Sequence, residues 1–303
     1  SSKALDAKSL KKDKFSGGEK RKRFVLSGDD GIYVRDQYTG TVRSVRNCTY
    51  MLAAHEELWE KELPPVVEEK LAWQYDSHAS YMDKHGSGKR SRDKTRVVTY
   101  AIPHNAVTQV YDYQQRTQRT IFGPDAVSLG PEEEFTIQNL SGSEWDPTRP
   151  NVCLPKKANM IKSLYLFMGP SSLSDVVFVE TSDHARLQLQ LSYDWHFDVV
   201  ANNIDQANEC FNVPDFVGDC CSCIASRVRA SIASIPFKKF HTHSSAIVQG
   251  AVFGYEKGTD TPKKEMRFPS NRLVVTSVDI QEIDVVDKKT KDALFTMLTA
   301  LAE

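Results

Sequence analysis

From Phe24 onward the chain reads as short runs in which apolar and polar residues alternate. IYVRD at 32–36 and TVRSV at 41–45 predict two strands around QYTG, whose Thr39-Gly40 suits a hairpin turn. TYML at 49–52 follows, and Pro64-Pro65 is expected to stop any regular element after HEELWEKEL. Residues 72–95 are polar and charged around Gly86-Ser87-Gly88 and are expected to form an insert or linker. TRVVTYAIP at 95–103 predicts a strand ended by Pro103, and AVTQVYDYQQRTQRTIF at 106–122 predicts a long hairpin.

The two stretches resemble each other. Val34-Arg35-Asp36 falls on Val110-Tyr111-Asp112 at an offset of 76, and Leu52 falls on Leu129 at an offset of 77. Each copy runs as a V-x-D strand, a polar turn, a returning strand and an acidic stretch, which points to tandem copies of one small β unit. Units of this kind stack into elongated rods by burying their faces against neighbours.

The pattern then changes. Residues 139–160 carry three prolines and are expected to be a boundary or long loop. SLYLFMG at 163–169 and DVVFVET at 175–181 predict apolar strands. Over 187–199 Leu187, Leu189, Leu191, Tyr193, Trp195, Phe197 and Val199 alternate with Gln188, Gln190, Ser192, Asp194, His196 and Asp198, a strand with one core face and one polar face. Pro214 suits the first turn of a helix whose apolar stripe is Val217, Cys220/Cys221, Ile224 and Val228, with Arg227 and Arg229 outside it. Phe240, Ser244, Ile247/Val248 and Ala251/Val252 repeat in the same way. Residues 272–286 return to strand, with Val274, Thr276, Val278 and Ile280 expected on one face. The end, 287–303, predicts a helix capped by Asp287, with a stripe of Leu294, Met297/Leu298 and Leu301.

Charge and composition narrow the function classes. A net charge of -1 over 303 residues argues against a dedicated nucleic-acid binder. The charge is uneven: residues 1–23 hold nine Lys/Arg against Asp6, Asp13 and Glu19, a head at +6 before a remainder at -7. That arm reads as a solvated tail in preference to an RNA-binding or nuclear-import segment. No run of 18 apolar residues predicts a spanning helix, and Ser1-Ser2-Lys3 opens no secretion signal. Six clustered cysteines fit a reducing compartment.

Candidate chemistry does not converge. Cys210, Cys220, Cys221 and Cys223 with His241 and His243 lack the paired CxxC spacing of zinc sites and read as core thiols. HEELWE at 55–60 lacks the second histidine of a zinc helix, GSGKRS fails the phosphate-loop spacing, and Asp30-Gly31 lacks later calcium ligands. Asp183 with His184, or Asp194 with His196, offers an acid–base pair on an open surface. Glu132, Glu133 and Glu134 read as a solvated turn. No enzyme activity, cofactor, metal or small-molecule substrate is expected.

Five segments carry a family resemblance: LWEKELPPVVEE (58–69), KTRVVTYAIPHNAVTQVYDY (94–113), FGPDAVSLGPEEEFT (122–136), ETSDHARLQLQLSYDWHF (180–197) and VPDFVGDCCSCIASRVR (213–229). In this order they closely resemble the major vault protein family. The resemblance implies a multidomain α+β chain: tandem small antiparallel β repeat domains, then an α/β shoulder domain similar to stomatin/prohibitin cores, then the start of a long cap helix. The expected boundaries are a basic arm at 1–23, β repeats at 24–95 and 96–160, the shoulder at 161–286 and the cap helix from 287.

The resemblance implies a structural subunit of the vault ribonucleoprotein, a homo-oligomer of many copies packed side by side in a hollow barrel. Other vault proteins and vault RNA would share the particle, in the cytoplasm with at most a minor nuclear fraction. The runner-up reading is a peripheral membrane-associated scaffold of the stomatin/prohibitin type. From exposure patterns, the expected subunit contacts are the polar face Asp194, His196 and Asp198, the helix arginines Arg227 and Arg229, and the coiled-coil-like stripe Leu294, Leu298 and Leu301.

Overall fold

A computed structural model describes residues 23–28, 30–79, 92–144, 148, 153–256, 258, 261–287 and 291–292. The chain divides into two compact units. The first runs to Glu62 and takes back Asp93–Val97; the second holds Leu63–Arg92 and everything from Val98 onward.

The first unit is built from β1 (Arg23–Val25), β2 (Gly31–Asp36), β3 (Val42–Arg46), β4 (Thr49–Met51) and β5 (Glu56–Leu58). The strand β2 pairs antiparallel with β3 and β5, and β1 pairs with β4. The QYTG hairpin is where the alternation places it. Leu26, Ile32, Val34 and Val45 form a small buried core. Residues 95–97 complete the far edge of β2, with the Val97 amide donating to the Gly31 carbonyl at 3.0 Å.

The helix α1 (Pro65–Ala79) corrects the expectation that Pro64-Pro65 ends regular structure and that the insert or linker begins at residue 72; residues 80–91 of that segment lie outside the described residues. A proline at the first helical position lacks only an N–H that no residue of the helix would accept, so Pro65 starts the helix. Val67 and Leu71, four apart, are both buried. Arg92 grips the Glu68 carboxylate with two hydrogen bonds of 2.8 and 3.2 Å.

The second unit repeats the β plan in β6 (Thr99–Ile102), β7 (Ala106–Asp112), β8 (Thr117–Phe122), β9 (Asp125–Ser128) and β10 (Glu133–Phe135). Here β7 pairs with β8 and β10, and β6 with β9. Next come β11 (Gln138–Gly142) and β12 (Lys157–Ser163), an antiparallel pair where the prolines suggested a loop; the prolines fall in the connection between the strands. The short β13 (Leu166–Phe167) completes the far edge of β7, as residues 95–97 do for β2.

The shoulder region contains β14 (Ser171–Glu180), β15 (Arg186–Phe197), α2 (Ile204–Cys210), α3 (Phe216–Ile232), α4 (Phe237–Phe253), β16 (Met266–Phe268) and β17 (Leu273–Val285). One antiparallel sheet runs in the order β14-β15-β17-β16. Its apolar side, Leu187, Leu189, Leu191, Tyr193, Trp195 and Phe197 on β15, packs against Cys220, Ile224, Val228, Phe240, Val248 and Val252 from α3 and α4. The alternation read in β15 holds without interruption.

In β17 it does not. Gln190 pairs with Glu282 but Leu191 with Ile280, and Asp194 pairs with Ser277 but Trp195 with Val275. Gln281 and Thr276 are therefore the extra residues of two bulges, each of which flips the side chains beyond it. The core face is Leu273, Val275, Val278, Ile280, Ile283 and Val285; of the four residues expected to share a face, Val278 and Ile280 are on it and Val274 and Thr276 are not. Pro214 also lies outside its expected place: α3 begins after it, capped by Asp215.

Candidate assembly surfaces

Each β repeat holds its hairpin by the same two devices. In the first, the Asp36 carboxylate accepts from the amides of Tyr38 (2.8 Å) and Thr39 (3.1 Å); in the second, Asp112 accepts from Gln114 and Gln115, both at 2.9 Å. Those amide bonds lower the Asp36 pKa below its ordinary value. Across the sheet, Arg43 meets Glu56 at 2.6 Å, and Arg119 meets Glu133 at 2.7 Å. Each glutamate also takes the amide three residues before it, Ala53 at 3.0 Å and Gly130 at 2.6 Å. Burial would raise the Glu56 carboxyl; the Tyr50 hydroxyl, the Ala53 amide and Arg43 outweigh it and bring the pKa from 4.5 to about 2.

The second repeat is fastened to the shoulder by polar contacts that link residues far apart in sequence. Asp215, the cap of α3, accepts from the Gly218 amide (2.9 Å), the Ser141 amide (2.8 Å) and the Ser141 hydroxyl (2.5 Å). A Cβ on Gly218 would come within 2.5 Å of the Asp215 carboxylate, so this approach requires glycine. Asn208 on α2 accepts from the Thr120 hydroxyl and from Gln109 (3.3 Å), and the Asn105 side chain donates to the Gly169 carbonyl. None of these contacts shows in the sequence pattern, because bonds spanning 64 to 99 residues leave no periodic trace. The Arg–Glu pairs did leave one, since Arg43 and Arg119 are 76 apart and Glu56 and Glu133 are 77 apart, the offsets of the repeat itself.

The expected contact residues divide by what they already do. Asp194 is exposed and His196 half-buried on the polar face of β15. Asp198, one residue past the strand, is in an ion pair with Arg267 at 2.6 Å, which holds its carboxyl below the usual range. Arg227 donates to the Val252 carbonyl at 2.7 Å, tying α3 to the end of α4. Arg229 donates to the Phe178 carbonyl on the edge strand β14 at 3.0 Å. Leu294, Leu298 and Leu301 lie outside the described residues.

The other chemical candidates have structural duties. Asp183 accepts from the Phe237 amide at 3.0 Å and caps α4, whose own cap position, Pro236, makes no side-chain bond. The Thr181 hydroxyl, against burial, lowers the Asp183 carboxyl further. His184 pairs with Glu180 at 2.8 Å. Cys220 and Cys221 are both buried, and burial pushes the thiols of Cys210 and Cys220 up to about 12, far from a reactive thiolate. Among the described residues no three His, Cys, Asp or Glu are placed to hold a metal, and no helix is long and apolar enough to cross a membrane.

Comparison with known proteins follows this architecture segment by segment. A Major Vault Protein repeat domain model matches residues 24–85, a second such model matches 97–168, and a model of the major vault protein shoulder domain matches 169–287. The chain is 49% identical over 276 residues to the major vault protein of Danio rerio, covering 90% of this chain and 31% of that protein. The chain belongs to the major vault protein family. The Homo sapiens member is 47% identical over 290 residues, and the Strongylocentrotus purpuratus member 45% over 278, each covering 91% of this chain and 31% of the relative. This chain thus spans about a third of the length of the family members it matches. Both β repeats and the shoulder described above are therefore vault-family modules.

Proposed function

We propose that this chain is a structural wall segment of a vault-type particle, one of many identical copies that associate side by side into a hollow barrel. The observation that carries the reading is the duplicated hairpin, with its Asp turn and Arg–Glu pair, in a chain of the major vault protein family. Stacked copies of one unit transmit the same lateral spacing along a wall. The tie between the second repeat and the shoulder, through Asp215 and Asn208, supports a fixed angle at the place where a wall turns towards its cap. The work is geometric and involves no catalysis: many weak identical contacts close a ring. The particle is cytoplasmic in this reading.

Electron microscopy of particles purified from cells expressing the full-length parent of this chain tests the proposal. Hollow barrels with walls of parallel rods are expected. Small monodisperse particles from an intact full-length protein would sink it.

A further inference from the structure

On the side of the shoulder sheet that faces away from α3 and α4, the register lays the residues out in rows, with Val176 and Val274 buried among polar neighbours. Across β14, β15 and β17 these read Phe178–Gln188–Asp284, Val176–Gln190–Glu282, Ser174–Ser192–Asp279 and Ser172–Asp194–Ser277. Asp194, Asp279, Glu282 and Asp284 are all exposed, and none forms an ion pair among the described residues. The basic side chains at the margin are occupied: Arg186 by Glu180 at 3.4 Å, Arg267 by Asp198 and Glu265, both at 2.6 Å. Phe178, 49% exposed, stands in the same row as Asp284. The face is acidic with an apolar spot, and its like charges repel one another.

A surface of opposite character lies on the helix side. β12 is exposed at every position from Lys157 to Lys162 and belongs to a two-stranded sheet with β11. A ribbon of two strands is marginal alone, and an open edge strand is a template for further pairing. Its side chains include Met160 (43% exposed) and Ile161 (49% exposed), flanked by Lys156, Lys157 and Lys162. Lys157 reaches Glu144 at 2.9 Å, and Lys162 forms no ion pair among the described residues. The partner strand β11 is pinned to the start of α3 through Ser141 and Asp215, so β12 lies on the side of the shoulder opposite the acidic rows.

We propose that β12 of one copy docks on the acidic open sheet face of the next copy. Lys157 and Lys162 then meet Glu282 and Asp284, while Met160, two residues before Lys162 on the same face of β12, covers Phe178. Because the two surfaces lie on opposite sides of one domain, the contact is head-to-tail and propagates from copy to copy. This docking rests on the side-by-side reading above and adds to it which surfaces meet.

Two charge-reversed variants test it in the 303-residue chain: Lys157→Glu/Lys162→Glu, and Glu282→Lys/Asp284→Lys. Sedimentation velocity over rising concentration is expected to show self-association of the unmodified chain that weakens with salt. Each variant, with circular dichroism and melting unchanged, is expected to lose about tenfold or more in association constant. An equimolar mixture of the two is expected to recover it, because each reversed surface then finds its complement. Variants that associate like the parent, a mixture that does not recover, or a parent chain that stays monomeric would each overturn the docking. Hollow barrels formed by the full-length protein carrying either reversal would reject the docking while leaving the shell reading intact; absence of barrels from the unmodified full-length protein would strike the shell reading instead.

Discussion

The two β repeats share their internal scaffold and differ in what they present outward. Asp36 and Asp112 shape the same turn, and Arg43–Glu56 and Arg119–Glu133 brace the same sheet. In both, the amide after the third strand returns to the central strand: Trp59 to the Tyr33 carbonyl at 3.0 Å, Thr136 to the Gln109 carbonyl at 2.9 Å. The side chains at those positions then diverge. Tyr33 packs edge-on against Trp59 with ring centroids 5.8 Å apart. Gln109, the matching residue, bonds Thr136 at 3.0 Å and reaches Asn208 on the shoulder. A repeated unit keeps the residues that fold it and varies the ones that attach it. The first repeat turns an aromatic pair inward, and the second spends the same position on a polar joint.

Breaking the joint should produce the largest asymmetry. Asp215→Ala removes the cap of α3 and both bonds to Ser141, a loss of about 2–3 kcal/mol for a charged acceptor with several donors. Hydrogen exchange should show protection falling across β11, α3 and the shoulder, while β2 and β3 keep theirs. Equal loss in both units would contradict the comparison.

Breaking the shared brace should instead act on each repeat alike. Glu56→Ala and Glu133→Ala are each expected to cost about 1–2 kcal/mol in their own unit, the arginine in each pair being roughly half exposed and its share screened. The acid response of the first repeat gives the sign. The folded pKa of Glu56 is about 2 against an ordinary 4.5, so its stabilisation is complete above pH 4.5 and is lost as pH falls through about 2. Glu56→Gln should flatten that decline, read as the pH dependence of urea unfolding between those limits. A variant as acid-sensitive as the parent would remove Glu56 from the account.

The smallest effect sharpens the outward difference. Asn208→Ala should cost about 1 kcal/mol, confined to β8 and α2, by removing the acceptor for Thr120 and Gln109. Amide exchange in β3, which carries the matching position Ser44, should not change. An effect on β3 of the same size would mean that the residue acts through general stability rather than through the joint.

Local periodicity made much of this legible. The hairpins at 32–46 and 106–122, the 76-residue echo and the uninterrupted alternation of β15 follow from side-chain direction, which depends on nearest neighbours. Where reading failed, a local signal had two meanings. Pro65 both breaks a strand and opens a helix, and only the burial of Val67 and Leu71 selects the second. Three prolines between 147 and 155 hid the pairing of β11 with β12 on either side of them. In β17 the apolar residues were visible but their face was not, because Thr276 and Gln281 bulge against a partner strand some 80 residues away. The candidate contacts show the same limit: the pattern marked Arg227 and Arg229 as lying outside the apolar stripe, but not that carbonyls of Val252 and Phe178 already engage them.

The amino-acid sequence by itself therefore determined the modular plan, the β repeats, the sheet-and-helix shoulder and the family, since each rests on spacing within a few tens of residues. Tertiary structure alone decided how the second repeat is fixed to the shoulder and which charges remain uncompensated at the surface. Those outcomes depend on whether a donor or a counter-charge from a distant segment arrives within about 3 Å, and no spacing along the chain encodes that arrival.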